Sequence, residues 1–575
     1  MADKQMTSSP IISRNVDNST TARTDLLKTP SIESSPREDN SQDGKPITKN
    51  DFQGVSASKH ETETSSRDTP PEVPSGNPPG EDYSVLTVPQ KRMVVFTASV
   101  ASVFSPMATS IYYPSLEIIA KDLGVSNSQI SLTVTLFLVI QGIAPSFIAD
   151  LADRSGRRPM YIVCFILFNA ANIGLALQNN FVALLILRML QAGGSSGTIA
   201  LANGVVGDTI TSSERGQYIA YSSFASIFGV LVAPILGGAI AQYAGWHFVF
   251  WFLFIFSCVV NIPLILFFPE TCRRVVDNGS IPPPFLSRNI TDNIRHKNRA
   301  KAGLVYDEEK AVDIKSKYRF SLPNPFSTLK VLLDLESALV LVATGLCLGN
   351  FYATSTASSK IFFEVYNFNQ LQVSLMFIPL GGGSILAAFT AGIMVDQNYR
   401  RHATRLGIPI VRNRAQDLTD FPIEKARLQV AFPVAFISGA AVIGFGWSLV
   451  HKTSLAGPVI TMFVAGWGLT CSVQVLNVLL VDLFPGKPSV ATAANNLVRC
   501  EIGAVFTAVI VPLIDAVGTG WAFTILSLIS VAFNPVLLIL MRKGPEWRKQ
   551  RKAKEEKARS QKEEKSKKRD METRR

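Results

Sequence analysis

The chain predicts an all-α membrane protein, with twelve transmembrane helices in two six-helix bundles. Three observations predict it. Hydrophobic residues fill 47% of the 575 positions and charged residues 17%. The apolar residues gather into runs of about 20, the length that crosses a bilayer. Runs begin near Met93, Ile130, Met160, Asn180, Tyr218 and Trp246, then near Leu339, Val373, Val430, Leu455, Val490 and Trp521, six on each side of a long polar stretch. Finally, a charged motif after run two partly returns after run eight. Ala149…Asp153…Arg157-Arg158 and Gly392…Asp396…Arg400-Arg401 both read small residue, three positions, Asp, three more, two Arg. Twin charged loops imply a duplicated transporter whose halves rock about a central site.

Charge placement orients the runs. If both tails and the central loop are cytoplasmic, the basic residues lie almost entirely inside, and the opposite side holds only Lys121, Lys360 and Lys452. This is the positive-inside bias, and the short Arg157/Arg158 and Arg400/Arg401 loops are its best witnesses. The net charge of +12 is therefore read as topology, not as nucleic-acid binding. The six cysteines (Cys164, Cys258, Cys272, Cys347, Cys471, Cys500) show no paired spacing, and the five histidines are scattered. Neither a disulfide framework, a metal site nor a cofactor is expected. No nucleophile constellation suggests an enzyme.

Residues 1–90, polar and rich in Ser, Thr and Pro, read as a disordered cytoplasmic tail. The first bundle is placed at 91–269. A cytoplasmic central loop follows at 270–335, with a basic stretch through Arg295, Lys297, Arg299 and Lys301 suited to the anionic inner leaflet. The second bundle is placed at 336–541. A basic tail at 542–575 alternates Lys, Arg and Glu, as in Lys554-Glu555-Glu556-Lys557, and reads as a solvated helix. The sequons at Asn18, Asn278 and Asn289 fall on segments placed inside, so they are expected to be unglycosylated.

Asp150 to Pro159, with Asp153, Arg154, Gly156, Arg157 and Arg158, resembles the signature loop of the major facilitator superfamily, with Ala149 where that family has Gly. The resemblance implies that Asp153 sits near the start of the eleventh helix and latches the outward-facing state. A carboxylate at a helix N-terminus is favoured by the free N–H groups there. Asp208, at the inner end of run four, is placed to pair with Arg154 or Arg157. Run four carries Arg188, Gln191 and Ser195 on one helical face. It resembles the family's second motif, whose Arg is implicated in proton coupling or substrate handling. A membrane-embedded Arg is costly and should face a wet cavity or a partner. Run five carries Gly229, Pro234, Gly237 and Gly238, resembling the antiporter motif of drug:proton exchangers, with Ala233 where Gly is usual. Pro234 is expected to kink that helix, and the glycines to allow close packing.

With Ser110-Ile111-Tyr112-Tyr113-Pro114, Pro269-Glu270-Thr271, Val481-Asp482-Leu483-Phe484-Pro485 and Ala493 to Cys500, the set is similar to the quinidine-resistance branch of the fungal twelve-spanner drug:proton antiporters. That branch also contains citrate-type organic-acid exporters. The likeness covers roughly residues 90–545 and implies the major facilitator fold and a plasma-membrane address. Nothing usable matches the tails.

Deep ionisable groups are few: Arg188, Arg499 and Glu501. Two arginines on central helices suit an anion, because guanidinium binds carboxylates in a bidentate way. Glu501 suits a proton or a cation, since a desolvated carboxyl favours its neutral form. A structural Arg499–Glu501 or Arg188–Glu501 pair is the bland alternative. Gln141, Asn350, Tyr352, Thr354, Gln474, Asn477 and Asn495 are candidate site residues, though residues of this kind more often make a helix–helix hydrogen bond than a ligand contact. Phe248, Phe250, Trp251 and Phe254 are expected at the lipid face. The expectation is a monomeric exporter of small organic molecules, exchanged for protons across the bilayer. Its cargo is read as drugs and toxic metabolites first and organic acids second, with a nutrient importer or a nutrient sensor as weaker rivals.

Overall fold

The computed structural model describes residues 84–210, 215–284, 287–290, 292, 294, 332–407, 421–483 and 488–573; side chains at 211–217, 219–224, 488–490 and most positions beyond 551 lie outside the described set. The N-terminal tail, the sequon Asn18, the basic stretch from Arg295 to Lys301 and Phe484-Pro485 fall outside it.

Among the described residues, 12 helices are long and apolar enough to cross a bilayer. Span 1 is Val88–Asp122, broken at Val103 and around Tyr113. Spans 2 to 6 are Asn127–Ser155, Arg157–Leu177, Phe181–Thr209, Arg215–Tyr243 and His247–Phe267. Spans 7 to 10 are Leu335–Tyr366, Gln370–Arg405 (interrupted at Met376), Ile423–Val450 and Ala456–Leu483. Span 11 is Pro488–Val517, and span 12 begins at Thr519. Every run located in the sequence became a helical span, because a backbone in hydrocarbon must satisfy its own hydrogen bonds.

Caps sit where the chain turns. Ser126 and Gln129 form a capping box before span 2, and Asn180 accepts from the N–H of Val182 and Ala183 at span 4. Asp334 caps span 7, and Asn369 forms a box with Gln372 at span 8.

Contacts between ends show that successive spans alternate in direction. Arg157 meets Asp208, and Glu270 meets the start of span 3, so the 2/3, 4/5 and post-6 ends share one face. Arg427–Asp482 (3.0 Å) and Arg551–Asp334 (2.8 Å) gather the corresponding ends of the second half. These are the arginine-rich ends, here called the basic face. Trp246–Asp122 and His247–Gln178 join the opposite ends of the first half.

Two boundaries and the placing of one aromatic differ from expectation. The stretch after span 6 does not begin a free linker: Glu270, Cys272, Val275, Val276 and Ile281 are buried, and Asn278 O accepts from Val85 N. The tail does not begin afresh at 542: a helix from Asn534 runs on to Thr573. In that helix Arg548 is buried, with Nε 3.2 Å from Glu424 and Nη2 donating to Phe421 O. Arg551 reaches Asp334 and Leu483 O. The tail's first turns are thus part of the second bundle. Phe250 is not lipid-facing; it is buried against Tyr112 and Trp246, while Phe248 is exposed.

Candidate functional site

At the basic face, span 2 ends at Ser155 and span 3 starts at Arg157, with Gly156 between them at φ 106°. Such a backbone suits glycine. Glu270 fills the notch. Its Oε1 accepts from the N–H of Arg157 (2.8 Å), Thr271 (3.0 Å) and Cys272 (3.0 Å), and Oε2 from Arg158 N–H (3.3 Å). Glu270 therefore caps span 3 from across the bundle, satisfying N–H groups no helix bond reaches. Burial pushes its carboxyl above the usual carboxylate range, and the backbone N–H donors pull it partly back.

The Arg157 guanidinium lies between two carboxylates, with Nη2 2.6 Å from Asp153 and Nε 2.9 Å from Asp208. The two expected pairings for Asp208 thus resolve in favour of Arg157, while Arg154 turns back to Asp150 at 2.9 Å. Arg158 donates to Ile265 O at 2.7 Å. The expected meeting of Asp153 with the start of span 11 involves side chains outside the described set.

The second copy is not a turn. Gly392, Asp396, Arg400 and Arg401 are exposed positions within the continuous helix Phe377–Arg405. Tyr399 stands where the first copy has Gly156, and its ring packs 4.7 Å from Phe421. Without a glycine to take positive φ, the helix runs on.

Deeper in, Arg188 is fully buried, its guanidinium 4.1 Å from the Tyr112 ring centre and 4.3 Å from that of Phe137. Nη1 donates to Ala108 O (3.1 Å) and Gln191 Oε1 (2.6 Å). Gln191 in turn donates to Asn172 Oδ1 at 2.7 Å. Nε and Nη2 have no partner among the described residues. Among the described residues no carboxylate pairs with this cation. Ser195, on the same face, bonds back to Ala192 O.

Spans 2 and 11 carry the seam between the halves. Gln141 Nε2 donates to Ser105 Oγ (2.8 Å), and Asn496 Nδ2 donates to Gln141 O (3.1 Å). Arg499 donates from Nε (3.1 Å) and Nη2 (2.7 Å) to Asn496 Oδ1. Asn495 bonds Asn477 of span 10. Neither arginine reaches Glu501, whose Oε1 is buried without a hydrogen-bond partner among the described residues. Tyr352 packs on Gly503 of span 11.

Asn350 makes the helix–helix bond that was one of its two readings: its Nδ2 donates to Ser530 Oγ at 2.6 Å. It lines a cavity of about 20 Å³ inside the second bundle, with Ser438, Ser472, Ser530 and Asn534, room for a single water. Gln474 is half-buried on span 10, and Thr354 is buried with an unpartnered hydroxyl.

Span 5 uses its glycines for contact. A Cβ on Gly229 would fall 2.8 Å from Val103, on Gly237 2.2 Å from Ile111 O, and on Gly238 2.2 Å from Ser374 Cβ. Pro234 lies inside the helix between them. Spans 5 and 8 meet there, away from the basic face. Pro114 O accepts from Ser359 Oγ (3.1 Å) and from Gln370 Nε2, and Gln370 N donates to Gln242 Oε1 (3.0 Å). Lys121 lies 3.9 Å over the Phe363 ring. The halves are therefore bolted together on the face opposite the basic one.

Sequence reasoning missed the ring sandwich of Tyr112 and Phe137, the Asn172 relay and the Asn496 bridge. Only Asn496 left a signal, its spacing of three from Arg499.

Two six-helix halves meeting along a polar seam, with an enclosed cation in one of them, define a membrane carrier of small molecules. The sequence model of the Major Facilitator Superfamily matches residues 98–508, and the chain belongs to that family. It is 50% identical over 473 residues to the MFS-type transporter phiD of a fungal species, covering 82% of this chain and 71% of that one. It is 31% identical over 535 residues to Citrate exporter 1 of Aspergillus niger, covering 92% and 97%. Its fold is similar to the partially occluded inward-open xylose transporter XylE of E. coli (TM-score 0.52, 16% identity, 79% of this chain and 97% of that one). These relatives are named as transporters, not enzymes.

Proposed function

We propose that this protein exports small organic molecules by alternating access, as a monomer, in exchange for protons. Acidic metabolites are the cargo its geometry supports best. The observation that carries the reading is Arg188: a cation held between two aromatic rings, out of water, with two N–H donors unspent. The rings keep the charge in place, and the spare donors suit a carboxylate of the cargo. The relative named as a citrate exporter supports the same class. The basic face is assigned to the cytoplasm and the plasma membrane is the proposed address.

Drug export is the second reading, favoured by Glu501, a carboxyl with no cation beside it among the described residues. Moving one charge across 100 mV involves about 2.3 kcal/mol. A multivalent anion is already driven out of a cell negative inside, whereas a neutral or cationic cargo needs the proton that Glu501 would carry.

Transport by the full-length protein in proteoliposomes tests this, with radiolabelled di- and tricarboxylates set against lipophilic cations. Acid transport abolished by Arg188→Ala with Arg499→Ala supports the proposal. Transport confined to the cations, unchanged by that double substitution, refutes it in favour of drug export.

A further inference from the structure

Spans 2 and 11 meet closely at Gly142. A Cβ there would fall 3.0 Å from Cys500 Cβ, 3.1 Å from Glu501 Oε1 and 3.3 Å from Leu497 O. A side chain here would push span 11 back by a few tenths of an ångström, so glycine brings the two helices into their close contact at this level. Into that contact the chain places a carboxyl oxygen, Glu501 Oε1, buried and without a hydrogen-bond donor.

Glu501 is half-buried, and among the described residues no donor or cation is placed to hold a negative charge on Oε1. Span 2 presents Gly142 and, one residue back, Gln141, whose amide nitrogen is spent on Ser105. Span 7 presents Tyr352, packed on Gly503. Span 10 presents Asn477, spent on Asn495. On span 11 itself, Cys500 is buried and Arg499 gives both Nε and Nη2 to Asn496. No ion pair to Glu501 exists among the described residues. A neutral carboxyl is tolerated in such a contact, whereas an ionised one requires water or a cation.

We propose that Glu501 and Gly142 form a proton-operated latch: the protonated carboxyl lets spans 2 and 11 close on one another, and loss of the proton parts them. The adjoining bond from Asn496 to Gln141 O opens with the seam and releases the half-buried Asn496–Arg499 pair toward it. This deepens the proposed proton exchange and rests on Glu501 carrying the proton, the role given to it under the second reading. It adds the mechanical consequence of that proton.

Cys500 is a native reporter, because its side chain is fully covered in the closed seam. The full-length protein in proteoliposomes is labelled with N-ethylmaleimide between pH 5.5 and 8, and Cys500 is read by peptide mass spectrometry. Glu501→Gln is compared with the unaltered protein at each pH. The expected result is equal labelling at pH 5.5, and at pH 8 labelling at least threefold faster in the unaltered protein than in Glu501→Gln. Gly142→Ala is expected to label fast at every pH. A constant ratio between the unaltered protein and Glu501→Gln across the range overturns the latch, even where Gly142→Ala fails to insert. Transport separates the two ideas: pH-gradient dependence lost in Glu501→Gln with that constant ratio removes the latch and leaves Glu501 as carrier.

Discussion

Glu270 occupies the space that a side chain at position 156 would need: a Cβ on Gly156 would fall 2.5 Å from Glu270 Oε2. The glycine of one sequence motif is thus the socket for the acid of another, more than a hundred residues away. Gly156→Ala meets two penalties at once, the collision and a positive φ of 106°. Strain of this kind costs about 1–3 kcal/mol. A fall of several degrees in the melting temperature of the detergent-purified protein is expected, and an unchanged melting temperature would contradict the capping role.

Glu270 also makes a pH prediction. Burial raises its carboxyl above the ordinary value in the folded protein, so the folded state holds the proton more tightly than the unfolded chain. The resulting stabilisation is full below the unfolded value and is lost as pH rises through the folded one. Melting temperature should therefore drop as pH rises just above the ordinary carboxylate range. Glu270→Gln should flatten that slope. It should also cost about 1 kcal/mol at neutral pH, because the amide cannot accept from all four N–H groups.

Asp153 and Asp208 hold the same arginine but are unequal. The Asp153 side chain is 44% exposed and that of Asp208 14%. Asp153→Asn should cost at most about 1 kcal/mol of stability and slow transport, the outcome expected of the gating role proposed for it. Asp208→Asn leaves a buried guanidinium short of a partner and should cost about 3 kcal/mol. Thermal stability and transport measured on both variants check the order, and the reverse order would be decisive against it.

Arg188→Lys keeps the charge but loses the planar fork stacked between Tyr112 and Phe137. Transport is expected to fall at least tenfold with normal protein abundance. Wild-type rates would mean that the charge alone suffices.

The tail should divide at Arg551. Deleting residues 553–575 is expected to leave folding intact. Arg548→Ala strips Glu424, which is 0% exposed, of its ion-pair partner and should cost about 3–5 kcal/mol. Monodispersity in size-exclusion chromatography distinguishes the two.

Gln370 should control the face opposite the basic one. Gln370→Ala removes a donor to Pro114 O and should raise maleimide labelling of a Tyr113→Cys reporter several-fold. Equal labelling would show that the bolt lies elsewhere.

Read from residues alone, the chain determined its twelve spans, because a bilayer of fixed thickness demands apolar runs of one length. It also determined Arg157 as one of two candidate partners for Asp208, and the family to which the motifs belong. The tertiary structure decided what each deep polar group meets. Membrane helices are apolar on nearly every side, so their pattern does not mark which face turns toward a partner. Hence Asn350 proved to be a helix–helix bond, Arg188 to be sandwiched by rings from spans 1 and 2, and Glu270 to be a cap. Tyr399 in the glycine's place left the second motif a straight helix. Only the packing of distant segments could reveal these.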